Sequence, residues 1–199
     1  MTQSDRVLEL AHRQRVVTAA DLRADGLSPQ LLIRLHHAGQ LERLGRGLYG
    51  LPDAPVTEDQ TRLEVCQRVP KAVLCLLSAL HFHDIGSQLP HELWIALPEA
   101  THTPALTYPP LRVTRLRGPA YAEGIETVVR HGVPLRVYGV AKTVTDCFKF
   151  RNKIGLDVAM EALREAWQQR RVTMAQLQHF ARINRVERVM APYLEAVAH

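Results

Sequence analysis

Two residues fix the limits of the helix that most constrains this fold. Pro29 suits a first helical position, where a missing N–H costs nothing, and Gly39 offers a left-handed stop after Ala38. With Ser28 as N-cap, the spacing predicts a short, sharply bounded helix. Leu31, Leu35 and Ala38, with Leu32 beside them, form its apolar stripe, so Gln30, Arg34 and His37 at i, i+4 and i+7 share a different, wettable face. Immediately downstream, Leu41–Leu44 and Leu48–Leu51 flank the glycine turn Gly45-Arg46-Gly47, and Pro52 ends the run. That pattern predicts a two-stranded hairpin with Arg46 at its tip.

The chain upstream reads as support for this unit. Residues 5–14 form an amphipathic helix with Ser4 as a possible cap and Val7, Leu8, Leu10 and Ala11 inward. Val16-Val17 lead into Thr18-Ala19-Ala20-Asp21, a capping box in which Asp replaces the usual Glu or Gln, and the second helix runs to Asp25 before a turn at Gly26. Helix, helix, turn, helix and hairpin in about fifty residues is the order of a winged helix-turn-helix, expected over residues 1–52. On such a head the third helix faces base edges: Gln30 suits adenine, Arg34 suits guanine and Ile33 suits a thymine methyl. Ser28, His37, Arg43 and Arg46 complete the expected DNA-binding set, Arg46 being placed for phosphate or the minor groove. An ordinary amphipathic surface helix would show the same periodicity, and the hairpin directly after it decides between them. Gly45–Gly50 also spells GxGxxG, but a dinucleotide site needs a following helix, and here Pro52 and a Pro-containing segment follow.

The 199 residues allow one large or two modest domains, and 46% hydrophobic residues can bury real cores. Seven cations against six carboxylates in residues 1–55, three against six in 56–110, and fifteen against eight in 111–199 place the basic excess in the carboxyl-terminal half. The reading head therefore has a small electrostatic footprint, and two copies are expected on the DNA. No apolar run is long enough to span a bilayer, and the amino terminus lacks the charged-then-apolar order of a signal sequence, so a cytoplasmic protein is expected. Cys66, Cys75 and Cys147 are odd in number and lack a CxxC, which indicates reduced core thiols rather than a disulfide framework or a zinc ribbon.

Pro52–Thr57 reads as a linker, 53–57 at its centre, followed by a Thr57-capped helix to Arg68 and a second domain over 58–199. Lys71–Ile85 is a strand at Val73–Cys75 running into a helix capped near Ser78, or one buried helix; length alone leaves both open. His91–Pro98 predicts a central strand, Thr101–Pro110 a proline-rich loop, and Leu111–Leu116 a half-exposed strand with Arg112, Arg115 and Arg117 on its outer face. Ile125–Arg130 and Leu135–Val140 pair about a turn at His131-Gly132. Helices follow over Ala141–Asn152, Leu156–Arg170, Met174–Arg182 with Thr173 as cap, and Val186–Val197, where Pro192 is a break or kink. Strands first and helices last predict an α+β domain with a mainly antiparallel sheet.

Two catalytic readings of the second domain fail on spacing. Ser78, His81, His83 and Asp84 are too close on one helix to take the three converging roles of a hydrolase triad, and Ser78 lies in no G-x-S-x-G elbow. His81 and His83, two apart, diverge by about 200° on a helix, whereas zinc pairs use i, i+4. A metal-dependent nuclease needs converging carboxylates; Asp84, Glu92 and Glu99 are acidic neighbours in sequence without the expected E-x-K. No metal or cofactor is implied, and no enzyme is expected.

Three long stretches, Arg46–Pro52 (RGLYGLP), Leu74–Pro98 and Gly139–Ala166 (GVAKTVTDCFKFRNKIGLDVAMEALREA), resemble in order the AbiEi antitoxins of type IV toxin-antitoxin and abortive-infection systems. The resemblance covers nearly the whole chain. It implies an amino-terminal winged helix that represses its own operon at inverted repeats, and a carboxyl-terminal domain that neutralises a cognate AbiEii toxin resembling a nucleotidyltransferase, without a lasting complex. By the family pattern the antitoxic segment would include Lys142, Thr143, Asp146, Lys149, Arg151, Asn152 and Lys153. The residues offer a physical version: on a helix from Ala141, Val144, Cys147, Phe148 and Phe150 pack inward while Lys142, Asp146, Lys149 and Lys153 line one side. With Arg112, Arg115 and Arg117 this basic stripe would face a polyanion, or be a merely solvated charged face. A stand-alone regulator with a ligand-sensing or dimerising second domain is the first alternative function, and a metal-dependent nuclease steered by the winged helix is the second.

Overall fold

A computed structural model of the chain describes residues 2–52, 58–102, 110–130 and 133–198, with the backbone alone at 58–60. The expected linker at 53–57 with its Thr57 cap, most of the proline-rich loop and the His131-Gly132 turn lie outside the described residues. Two compact units result, one of Met1–Pro70 with Val128–Leu135 and one of Lys71–Thr127 with Arg136–His199. The first unit thus includes the helix after the expected linker.

That unit opens with α1 (Gln3–Gln14), β1 (Val17–Thr18), α2 (Ala19–Ala24) and α3 (Gln30–His37), followed by β2 (Glu42–Gly45), β3 (Leu48–Gly50) and α4 (Glu58–Arg68). Thr2, not Ser4, caps α1: its side chain accepts from the Asp5 N–H while the Asp5 carboxylate accepts from the Thr2 N–H, and Ser4 lies inside the first turn. The reciprocal bonds expected of Thr18 and Asp21 form at the start of α2. Each such cap is worth about 0.5–2 kcal/mol. The start of α3 falls one residue later than expected: Pro29 is its N-cap, without a side-chain cap bond, and Ser28 just before it accepts from the Gln30 N–H at 3.4 Å. At the other end of α3 Gly39, at φ +70°, donates to His36 O and Gln40 to Leu35 O, a Schellman closure. The left-handed conformation that closes the helix is the one glycine adopts without a Cβ clash.

Helix α3 buries Leu31, Leu32 and Leu35 against Val7, Leu10 and Ala11 of α1 and Leu22 of α2. Ala38 is the exposed C-cap, not a member of this stripe, because the helix ends before its side chain can turn inward. The strands form an antiparallel sheet of order β1-β3-β2, with Val17 opposite Tyr49 and Arg43 opposite Tyr49 on its two sides. An irregularity between Arg43 and Gly45 lets Gly45 pair with Leu48, so Gly45 ends a strand and the turn is Arg46-Gly47 alone.

A second sheet has the order β6-β5-β4-β8-β7, built from β4 (Val73–Leu74), β5 (Leu93–Pro98), β6 (Leu111–Leu116), β7 (Ile125–Arg130) and β8 (Val133–Tyr138); β4, β5 and β6 belong to the second unit, while the outer part of β7 and the start of β8 fall within the Val128–Leu135 segment of the first. The sheet is mixed rather than mainly antiparallel: β4 runs antiparallel to β5, but β5 with β6 and β4 with β8 are parallel pairs. The chain between β4 and β8, which carries α5 (Leu76–Phe82) and α6 (Pro119–Ala122), gives that pair room for a parallel return, and residues 99–110 join β5 to β6. Ser78 is not a cap. It sits buried within α5 and its hydroxyl accepts from the Trp94 N–H of β5 at 2.8 Å. The α+β expectation holds, with α7 (Val140–Lys149), α8 (Arg151–Ile154), α9 (Leu156–Gln168), α10 (Met174–Asn184) and α11 (Glu187–Ala198) closing the chain. The single helix expected over 141–152 is split at Phe150, and α11 continues through Pro192. Helix α7 packs against α5, α9 and α10 and is buried at every position from Ala141 to Phe148.

Candidate nucleic-acid interface

Gln30, Ile33, Arg34 and His37 are all exposed and occupy the side of α3 opposite its leucines. Ile33 is 54% exposed, leaving a large apolar side chain beside a cation and an amide. Such a face can make the donor, acceptor and methyl contacts by which side chains distinguish base edges. Helix α3 and the hairpin are tied together by His36: its Nδ1 bonds Leu41 O at 3.0 Å, and its ring meets Tyr49 edge-on at 5.9 Å. Helical spacing alone does not single out His36 for that role.

Arg46 is exposed at the turn of the hairpin, and Arg43, also exposed, donates through Nε to Gly45 O at 3.3 Å. Arg34 is held as well: its Nη2 donates to Ser4 Oγ at 3.0 Å. Ser28, Gln30, Ile33, Arg34, His37, Arg43 and Arg46 therefore all lie on one small unit, with the base-edge candidates on a helix and two of its cations on a hairpin. The first turn of α1 joins this surface through Ser4, a residue the periodicity placed only as a cap.

The expected basic stripe of the second unit does not form. Lys142 and Asp146 are 0% and 1% exposed, and Lys142 Nζ lies 2.5 Å from both Asp146 carboxylate oxygens. Asn184 of α10 donates to Asp146 Oδ1 at 2.7 Å and to Thr145 Oγ1 at 3.2 Å, and the Lys142 ammonium sits 4.3 Å from the Tyr138 ring centre. Burial pushes the Asp146 carboxyl up, while Lys142 and Asn184 draw it back down. Such a pair is weak evidence for stability, since desolvation offsets much of the attraction, but losing one partner strands the other charge. Lys142 also fills space that only a glycine leaves: a Cβ on Gly124, at φ +76°, would stand 2.8 Å from Lys142 Cβ. These two residues cannot line an outer face because α7 has helices on several sides and the sheet on another.

The remaining members of the stripe scatter. Lys149 is half-buried, its ammonium pKa lowered chiefly by that burial, while Lys153 is exposed; both flank the Phe150 ring. Arg151 donates to Phe148 O, and Asn152 is exposed. On β6 the two-residue period puts Arg112 and Arg115 on opposite faces, correcting the shared outer face expected of them. Arg112 lies over Trp94 and 3.6 Å from Glu92, Arg115 donates to Pro98 O, and Arg117 is exposed beyond the strand.

His83 is buried and its Nε2 bonds Tyr138 O at 2.8 Å; burial lowers its pKa. Among the described residues no three His, Cys, Asp or Glu side chains gather as a metal-binding group, Asp84, Glu92 and Glu99 included. Cys66, Cys75 and Cys147 are buried thiols without a disulfide. Among the described residues no helix is long and apolar enough to cross a membrane.

Residues 5–52 match the family described as transcriptional regulator, AbiEi antitoxin. The match runs from α1 through β3, so it spans the exposed helix face and the arginine-tipped hairpin and bears out the resemblance there. No curated protein matches the chain in sequence. Among solved structures the chain is similar to the crystal structure of the RV2827C protein from Mycobacterium tuberculosis, at 19% identity, over 91% of this chain and 71% of that one, with a TM-score of 0.49.

Proposed function

We propose that the amino-terminal unit is a winged helix-turn-helix that binds operator DNA of its own toxin-antitoxin operon and represses it. The observation that carries this reading is the pairing of an exposed Gln30/Ile33/Arg34/His37 face on a capped helix with a hairpin bearing Arg43 and Arg46. The AbiEi regulator match over the same residues supports it. In this reading α3 enters the major groove, Gln30 and Arg34 read base edges, His37 and Ser28 lie near the backbone, and Arg46 grips phosphate on the flanking strand. The modest charge of residues 1–55 favours two copies on an inverted repeat, since one head neutralises few phosphates.

The second unit is assigned the neutralisation of a nucleotidyltransferase-like toxin in the cytoplasm, through contacts that need not form a stable complex. This rests on the sequence resemblance over Leu74–Pro98 and Gly139–Ala166. Lys142 and Asp146 then act as framework, and Arg112, Arg117 and Lys153 are the cations left exposed to meet a partner.

Selection from a randomised duplex library tests the DNA reading. The wild-type chain is expected to converge on a repeated sequence, and a Gln30→Ala/Arg34→Ala variant of equal melting temperature is expected to lose that preference. A wild-type chain that retains all sequences equally refutes base reading. For the second unit, co-expression with an AbiEii-type nucleotidyltransferase-like toxin is expected to restore growth, and an Arg117→Glu/Lys153→Glu variant to restore it less. Growth equal to wild type with that variant removes these cations from the antitoxic surface.

A further inference from the structure

The first turn of α1 and the exposed face of α3 meet at one side-chain pair, Arg34 Nη2 donating to Ser4 Oγ at 3.0 Å. Ser4 lies three residues before Val7 and seven before Ala11, on the face that α1 turns toward Leu31 and Leu35. It is half-buried at the rim of that packing, whereas Arg34 is exposed. The turn carrying Ser4 is itself fixed. Thr2 and Asp5 close a capping box around it, and the hydrogen bonds from the Thr2 backbone and hydroxyl hold the Asp5 carboxyl below its ordinary pKa, keeping it an acceptor at neutral pH. Arg6 Nη2 then ties the same turn to Asp25 O at the end of α2, at 3.1 Å.

The geometry of a guanidinium gives this contact a consequence. Nη2 carries two hydrogens, one on the edge shared with Nη1 and one on the edge shared with Nε. Whichever of them Ser4 accepts, the other edge keeps both of its parallel donors. Two parallel donors match O6 and N7 of guanine in the major groove. An exposed arginine with no anchor must lose rotamer freedom when it binds, a cost that falls on the complex; with the Ser4 bond, part of that freedom is already lost in the free protein.

We propose that Ser4 is a positioning residue for sequence recognition, holding Arg34 so that one complete guanidinium edge meets a guanine of the bound site. The inference rests on the DNA-reading function proposed above. Ser4 carries no charge and reaches the base through Arg34, so its effect falls on discrimination and not on general affinity for duplex.

Full-length wild type, Ser4→Ala, Ser4→Thr, Arg34→Ala and Ser4→Ala/Arg34→Ala are titrated against three probes. These are the duplex that wild type selects from a randomised library, that duplex with 7-deazaguanine at each guanine in turn, and random duplex. Ser4→Ala is expected to weaken the selected duplex about fivefold and leave random duplex unchanged. Ser4→Thr, which keeps the hydroxyl, is expected to bind as wild type does. Removing N7 at one guanine is expected to abolish the Ser4 effect, as is the Arg34→Ala background. Equal losses on selected and random duplex, a Ser4→Ala loss that persists without Arg34, or no loss at all overturns the positioning role and leaves the DNA-reading function standing. A wild-type chain that selects no sequence overturns both.

Discussion

Helices α3 and α7 carry the same polar spacing and opposite fates. In α3, Gln30, Arg34 and His37 recur at i, i+4 and i+7 and stand in solvent; in α7, Lys142, Asp146 and Lys149 recur at the same intervals, and the first two are sealed from it. Period tells which residues share a face of a helix. Whether that face is wet depends on how many neighbours the helix has, and α7 has α5, α9 and α10 around it while α3 buries only its leucine stripe. A charge on α3 is therefore available to a ligand, and a charge on α7 is committed to the fold.

That contrast breaks most readily at Lys142. Lys142→Met is expected to cost about 3–5 kcal/mol by leaving Asp146 buried and unpaired, and pairing it with Asp146→Leu is expected to recover much of the loss. Urea unfolding of the three full-length chains checks it; a single variant as stable as wild type would show that α7 opens to solvent after all. On α3 the cost moves from folding to binding. Arg34→Ala is expected to weaken the selected duplex by about 1–3 kcal/mol and relax one base position, with the melting temperature unchanged. Titration beside a thermal scan separates the two, and a loss of stability in place of affinity would erase the distinction between the helices. Arg46→Ala has a smaller expected effect, lowering affinity for every duplex alike and reducing the slope of log K against log salt by about one. A titration series across salt concentrations measures that slope, and an unaltered slope places Arg46 away from phosphate.

The smallest effect expected concerns pH. Burial lowers the His83 pKa from its ordinary value of about 6.5, so the unfolded chain binds a proton there more readily than the folded one. The stability due to neutral His83 is complete above that value and is lost as pH falls below it toward the folded pKa. Chemical unfolding at a series of pH values is expected to show this decline in wild type and a shallower one in His83→Gln. Equal slopes would assign the pH dependence to other groups.

The elements near the amino terminus were legible because their signals are local. The Thr18/Asp21 box, the Gly39 stop and the glycine-marked hairpin each depend on residues within eight positions of one another, and each forms. The base-edge candidates were legible for the same reason, as an amphipathic helix with a single apolar stripe leaves its other side to water. What escaped the sequence needed a partner from afar. Ser4 looked like a cap because its contact with Arg34 spans thirty residues, and the mixed sheet depends on β4 lying between β5 and β8, which no strand's own pattern records. At α7 the opposite charges four apart were in view, but Asn184 and the Tyr138 ring arrive from other elements to make burial tolerable.

From its sequence alone this chain determines an amino-terminal head with bounded helices, a glycine-turned hairpin and a polar α3 face, because capping, turn chemistry and helical period act between near neighbours. Only the tertiary structure decides that Lys142 and Asp146 are interior and that Arg34 rests on Ser4. Desolvation and long-range hydrogen bonding depend on what the rest of the fold brings within a few ångströms, and that is set by packing of elements distant in the chain.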